Sequence, residues 1–171
     1  SMSLIKRIII FSIILFLTSF SQLRAQEVKK IGNYKDWEAI VVSEASGKVC
    51  FAQSSPILQA PKSNKRDAKL FVAFRPNESI ANEVSVTPGY EFNKSNSVTA
   101  ASGKNKFKFD IKEQGFAWIT DNKIELKMIK QMRKGSRIMI TGYNQKGSQT
   151  IDHYSLLGFT KAYNASRKAC S

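Results

Sequence analysis

The chain has 171 residues, with 27 Lys+Arg against 13 Asp+Glu, a formal net charge of +14, one histidine and two cysteines. That length and an apolar content of 42% allow one domain with a real core and leave little room for a second. A single His and two Cys exclude His-rich metal centres, four-cysteine zinc sites and paired-histidine mechanisms.

The first segment is an address. Ser1 ahead of Met2 reads as a residue added in cloning, and Lys6 and Arg7 then precede an apolar run from Ile8 to Phe20. The run is 13 residues long, short of the ~20 needed to cross a bilayer, and a polar stretch ending at Ala25 follows it. Residues 1–25 are therefore expected to be a signal peptide, cleaved after Ala25 or alternatively after Ser21. The competing reading, an uncleaved anchor, is weakened by Ser12, Thr18 and Ser19 inside the run. The expected mature form has no transmembrane span and resides in the periplasm, with outer-membrane association or secretion as further destinations.

Loss of Lys6, Arg7 and Arg24 still leaves 24 basic against 13 acidic side chains. Outside the cytoplasm the expected partners of such a charge are an anionic lipid, lipopolysaccharide, a cell-wall polymer or a partner protein, and not nucleic acid. The same compartment favours a disulfide between Cys50 and Cys170. The alternative is two unpaired thiols, with Cys170 in a frayed tail.

Residues 26–34 are charged and aperiodic and read as a leader, so the domain is expected over residues 35–171. Trp37–Ser43 and Lys48–Ser54 read as strands around a turn at Glu44–Gly47. Residues 55–68 carry Pro56, Pro61, Ser63 and Asn64 and read as a loop. In Lys69–Arg75, Leu70, Val72 and Phe74 alternate with Phe71 and Ala73, so both faces of that strand should be covered. Glu83–Thr87 is the next strand, followed by weaker ones at Tyr90–Phe92 and Ser97–Ala101. Lys104–Lys112 alternates cleanly, placing Phe107, Phe109 and Ile111 on one side and Lys106, Lys108, Asp110 and Lys112 on the other.

Phe116–Thr120 reads as a short strand, after which Asp121 caps a helix over Asn122–Lys134. Ile124, Met128 and Met132 give that helix its apolar face, and Lys130, Arg133 and Lys134 suit its C-terminal dipole. Arg137–Tyr143 and Gln149–Leu156 are strands about a turn at Asn144–Gly147, and Gly158–Lys168 closes the chain as a helix.

Asp36-Trp37, Lys48-Val49-Cys50, Gly115-Phe116-Ala117, Arg133-Lys134-Gly135 and, above all, the run from Ser155 to Ala162 (SLLGFTKA) resemble the invasion-associated locus B family of exported alphaproteobacterial proteins. The resemblance implies a mostly-β periplasmic or surface-associated protein without an established catalytic site. Family members often carry a cysteine where this chain has Val41, and a further pair where it offers Ile111 and Phe116. The resemblance makes Cys170 the substitute partner for Cys50.

Catalytic readings are weak. Asp152, His153 and Ser155 are triad residue types, but strand alternation separates adjacent side chains, so no enzyme activity, cofactor or metal site is expected. Phe71, Phe74, Phe107, Phe109 and Phe159 are expected in the core, and Trp37 and Trp118 pack or, alternatively, line a groove. The candidate binding face comprises Lys104, Lys106, Lys108, Lys112, Lys127, Lys130 and Arg133, set against the bland reading of an ordinary solvated face.

The expected architecture is one mainly-β domain, an antiparallel sandwich or partly closed barrel of about seven to nine strands with two short helices. Its expected function is binding an envelope component or partner through a basic surface. The alternative is a periplasmic chaperone or assembly factor acting through an exposed sheet edge.

Overall fold

A computed structural model describes residues 26–171, so the expected signal peptide lies outside the described residues. The strands are β1 (Glu27–Tyr34), β2 (Trp37–Glu44), β3 (Gly47–Ser54), β4 (Leu58–Ala60), β5 (Lys69–Arg75), β6 (Ile80–Thr87), β7 (Val98–Ser102), β8 (Asn105–Phe109), β9 (Ile111–Glu113), β10 (Phe116–Trp118), β11 (Arg137–Tyr143) and β12 (Gln149–Ser155). The helices are α1 (Asn122–Lys134) and α2 (Phe159–Ala169). A seven-stranded antiparallel sheet in the order β1-β2-β3-β5-β6-β10-β9 faces a five-stranded one in the order β4-β12-β11-β7-β8. The fold is a sandwich and not a closed barrel.

The strands follow from alternation. In β5, Leu70, Val72 and Phe74 turn inward; from the smaller sheet Val98, Phe109, Ile138 and Tyr154 meet them, and Met128, Met132 and Phe159 come from the helices. Asp121 caps α1 as expected, its carboxylate accepting the Lys123 N–H at 2.9 Å.

Five expectations need correction. Residues 26–34 are not a leader: Glu27–Tyr34 is the edge strand β1, bonded to β2 and mostly exposed, so no apolar periodicity marks it. The loop over 55–68 contains β4, which pairs with β12. The strand expected over Lys104–Lys112 breaks at Asp110, with β8 in one sheet and β9 in the other. Asp110 fixes that crossover by accepting the Thr120 N–H at 2.9 Å and a bond from the Thr120 hydroxyl. Phe71 points outward, leaving Leu70 and Val72 to the core. Tyr90–Phe92 contributes only an isolated bridge from Phe92 to Asn144.

The two ends of the domain meet at one node. The Trp37 indole, fully buried, donates to the Ser155 carbonyl at 2.7 Å and lies edge-on to Phe159, with centroids 4.9 Å apart. Gly158 adopts φ 89°, and a Cβ there would stand 1.7 Å from the Tyr34 carbonyl oxygen. Beyond α2, Cys170 forms the disulfide with Cys50 of β3, and the Lys48 ammonium donates to the Ala169 carbonyl at 2.8 Å. The unpaired-thiol alternative is set aside.

Gly158→Ala should cost about 3 kcal/mol or more in urea unfolding, since a left-handed backbone and a backbone clash coincide. Gly103→Ala, also at positive φ but facing open space, should cost only about 1–2 kcal/mol. Replacing Cys50 and Cys170 together by Ala should lower stability by about 2–5 kcal/mol, as expected for releasing a long covalent loop.

Candidate functional site

Where α1 sits is decided by one carboxyl. Glu125 is buried and accepts the Val84 N–H of β6 at 2.5 Å and the Asn122 amide at 3.3 Å. It thereby occupies the ladder position that β10, only three residues long, leaves open on β6. With Glu125, Met128, Ile129 and Met132 turned inward, Lys123, Lys127, Lys130, Arg133 and Lys134 face water.

Helix α2 lies alongside. Its Phe159, Ala162, Tyr163 and Ser166 are buried, which exposes Lys161, Arg167 and Lys168. Arg133 and Arg167 both stack on the Tyr163 ring, at 4.9 and 5.6 Å from its centroid, and Arg133 donates to the Asn164 side chain at 2.9 Å. The ring holds two like charges close together. After Glu125 the sequence contains a single acid, Asp152. That residue is buried in a two-pronged pair with Arg66, at 3.0 and 2.7 Å. No cation of α1 or α2 has a carboxylate partner among the described residues.

The residues of the predicted face are distributed over β8 and the turn before it, β9 and α1. The Asn105 side chain of β8 donates to Gln131 of α1 at 2.9 Å on the strand face that also carries Phe107 and Phe109, so the exposed Lys106 and Lys108 turn to the face opposite the helix that carries Lys127, Lys130 and Arg133, while Lys104 lies exposed in the turn before β8. Lys112 does not join them. It is half-buried on β9, in the other sheet, and donates to the Asn93 and Asn96 carbonyls at 2.8 and 2.6 Å, anchoring that loop. Lys161, Arg167 and Lys168 are the exposed cations that sequence reasoning missed, although the stretch after Glu125, with a single acid, marks them.

The residues from Asp152 to Ser155 do not converge. Asp152 is taken by Arg66, Tyr154 lies in the core, and Ser155 accepts the Leu157 N–H at 3.2 Å. His153 is half-buried, with Nδ1 unpartnered. Among the described residues no three His, Cys, Asp or Glu cluster as metal ligands, and no helix is long and apolar enough to cross a membrane.

A concavity on the larger sheet answers only to the alternative that Trp118 lines a groove. On the outward face of the larger sheet, Phe51, Phe71, Phe116 and Trp118 form a continuous row, with successive centroids 5.8, 6.4 and 5.8 Å apart. They line a trough of about 410 Å³ together with Val42, Val49 and Ala73. Trp118 therefore lines a groove, whereas Trp37 packs in the core. The signal was the unbroken apolar run in β5, which alternation alone assigned to two covered faces.

The comparisons with known proteins agree with the fold. The family model described as invasion associated locus B (IalB) protein matches residues 37–167. A crystal structure of invasion associated protein B from Bartonella henselae is similar at 16% identity and a TM-score of 0.56, over 81% of this chain and 96% of that one. No curated protein matches the chain.

Burial is the main influence lifting the Glu125 carboxyl above its ordinary range, against the pull of the Val84 N–H and the Asn122 side chain. The folded state thus binds this proton more tightly than the unfolded state. Glu125 stabilises most below the ordinary carboxylate range, and that contribution is lost as pH rises through its raised pKa. In thermal melts, Glu125→Gln should lose less Tm than the unaltered protein between about pH 4 and about pH 7.

Proposed function

Because the chain belongs to the invasion-associated locus B family, we propose that it is an exported, non-enzymatic envelope protein that binds an anionic envelope component through the surface made by α1, α2 and the start of β8. The observation that carries the reading is that the stretch after Glu125 holds a single acid. Lys127, Lys130, Lys134, Arg167 and Lys168 all face water there, and the one acid in the stretch is sequestered by Arg66.

Charges of one sign crowded on one face repel each other, and an approaching polyanion relieves that repulsion while adding its own attraction. Arg133 and Arg167, steadied on Tyr163, lose less freedom on meeting a phosphate than two mobile side chains would. The disulfide is compatible with an oxidising envelope. Lipopolysaccharide phosphates and anionic phospholipid headgroups offer the required chemistry.

A chaperone acting through a sheet edge has less support. The long exposed edge strand, β1, carries Lys29 and Lys30 and is bulged between Lys30 and Gly32, features that discourage a further strand from adding.

Cosedimentation with vesicles containing phosphatidylglycerol, and with lipopolysaccharide, should show binding that falls steeply as salt is raised. At about 1 kcal/mol per basic residue near an anionic surface, Lys127→Ala with Lys130→Ala should weaken vesicle binding about thirtyfold. The pair Lys62→Ala and Lys65→Ala, in the loop before β5, should change it less than about threefold. Equal losses from both pairs, or binding indifferent to salt, would remove the proposal.

A further inference from the structure

The trough on the larger sheet is chemically unlike the basic surface and faces away from it. Helix α2 packs on the inward side of β2 and β3, against Trp37 and Phe74, whereas Phe51 and Phe71 project from the opposite side. A solvated sheet face is ordinarily polar. Here an aromatic row runs across β3, β5 and β10 in its place.

The polar groups among those rings are unspent. Ser85 stands in register between Phe71 on β5 and Trp118 on β10 and is only 6% exposed. Its hydroxyl, the Trp118 indole N–H and the Gln114 amide make no hydrogen bond among the described residues, yet none is sealed from the trough. Each offers donors or acceptors to whatever enters.

Four classes of occupant can be compared on those groups. An anion would find no available cation, because Arg75 is held by Glu83 at 3.2 Å and by Glu78 at 3.9 Å. An extended peptide adds to a free strand edge, but β3, β5 and β6 are each paired on both sides. A purely apolar chain would cover the Ser85 hydroxyl and the Trp118 N–H without satisfying either, which is costly. A sugar ring has a C–H-rich face that packs on aromatic rings and hydroxyls that pair with such groups.

We infer that this trough binds a neutral saccharide, with Phe71 and Trp118 packing on the rings and Ser85 and Gln114 bonding their hydroxyls. The volume of about 410 Å³ lies within the ~300–1,000 Å³ usual for small-ligand sites, in which an apolar lining holds a few placed polar groups.

The test is calorimetric titration of the whole chain with cellotriose, maltotriose and tri-N-acetylchitotriose, with tryptophan emission as a second readout. At least one trisaccharide should bind saturably. Phe71→Ala should weaken it about tenfold or more, and Ser85→Ala and Trp118→Phe about threefold or more each, as expected for ring contacts and single hydrogen bonds. Lys130→Ala, on the basic surface, should leave it unchanged.

Ser85→Ala and Trp118→Phe alter outward-facing groups conservatively, so a misfolded variant does not shield the idea. It is overturned if none of the three trisaccharides binds, or if Ser85→Ala and Trp118→Phe bind the trisaccharide as tightly as the unaltered protein. Saturable decanoate binding that Phe71→Ala abolishes and Ser85→Ala leaves untouched would overturn it in favour of an acyl-chain site.

Discussion

The structure depends on the contact between the end of β1 and the turn that opens α2. Gly158 sits so close to the Tyr34 carbonyl that no side chain fits between them. Beside it the buried Trp37 indole bonds the Ser155 carbonyl, and the Asp36 N–H reaches the Leu157 carbonyl at 3.2 Å. These contacts fix α2 at its start and Cys50 fixes it just past its end, so the helix lies pinned at both ends across the inner face of the larger sheet. A helix of 11 residues would be marginal by itself; tertiary contact holds it.

Three of the five stretches that carry the family resemblance gather at those two points. Asp36-Trp37 meets the stretch from Ser155 to Phe159, and Lys48-Val49-Cys50 meets the end of α2 through the sulfur and the lysine. The signature is thus a packing device, which is why it identifies a fold without announcing a reaction. Val41, where relatives often carry a cysteine, is paired directly opposite Cys50 across β2 and β3. With valine there the Cys50 sulfur is left for Cys170. Ile111, another position at which the resemblance implies a cysteine, is 44% exposed, so packing has not simply replaced a bridge at that site.

Much of this was legible in the sequence where side chains report burial locally. The cap at Asp121, the inward set of α1 and the alternation in β5, β11 and β12 are all local signals. Strand β1 was illegible because an edge strand held by backbone bonds buries almost nothing, and burial is what produces a period. The break at Asp110 was hidden because its cause, Thr120, lies ten residues on, while the alternation runs unbroken through the crossover. Charge showed that a basic face exists but not its membership. Lys112 is withdrawn by carbonyls of the loop at residues 93–96, and Lys161, Arg167 and Lys168 join only because α2 packs beside α1. The outward turn of Phe71 required knowing which face of β5 the smaller sheet covers, a property of topology that no single strand encodes.

The two surfaces are held on a common frame. Larger-sheet strands carry the aromatic trough on one side and support α2 on the other, and Glu125 ties α1 to β6, whose Ser85 lies in that trough. In β6 the backbone N–H that donates to Glu125 belongs to Val84, the neighbour of Ser85. A strand sends successive side chains to opposite faces, so Val84 turns its side chain to the core and Ser85 to the trough, and the Val84 N–H, in the plane of the sheet, puts the helix anchor one residue from the trough floor. A shift of α1 along β6 would therefore move the cations of α1 and strain the floor of the trough together. The disulfide and the Gly158 contact oppose such a shift from the other end of the sheet, because they fix α2, against which Arg133 of α1 is stacked through Tyr163. Charge on one face and ring chemistry on the other are thus positioned by the same few contacts, and neither surface can be repacked without disturbing the core between them.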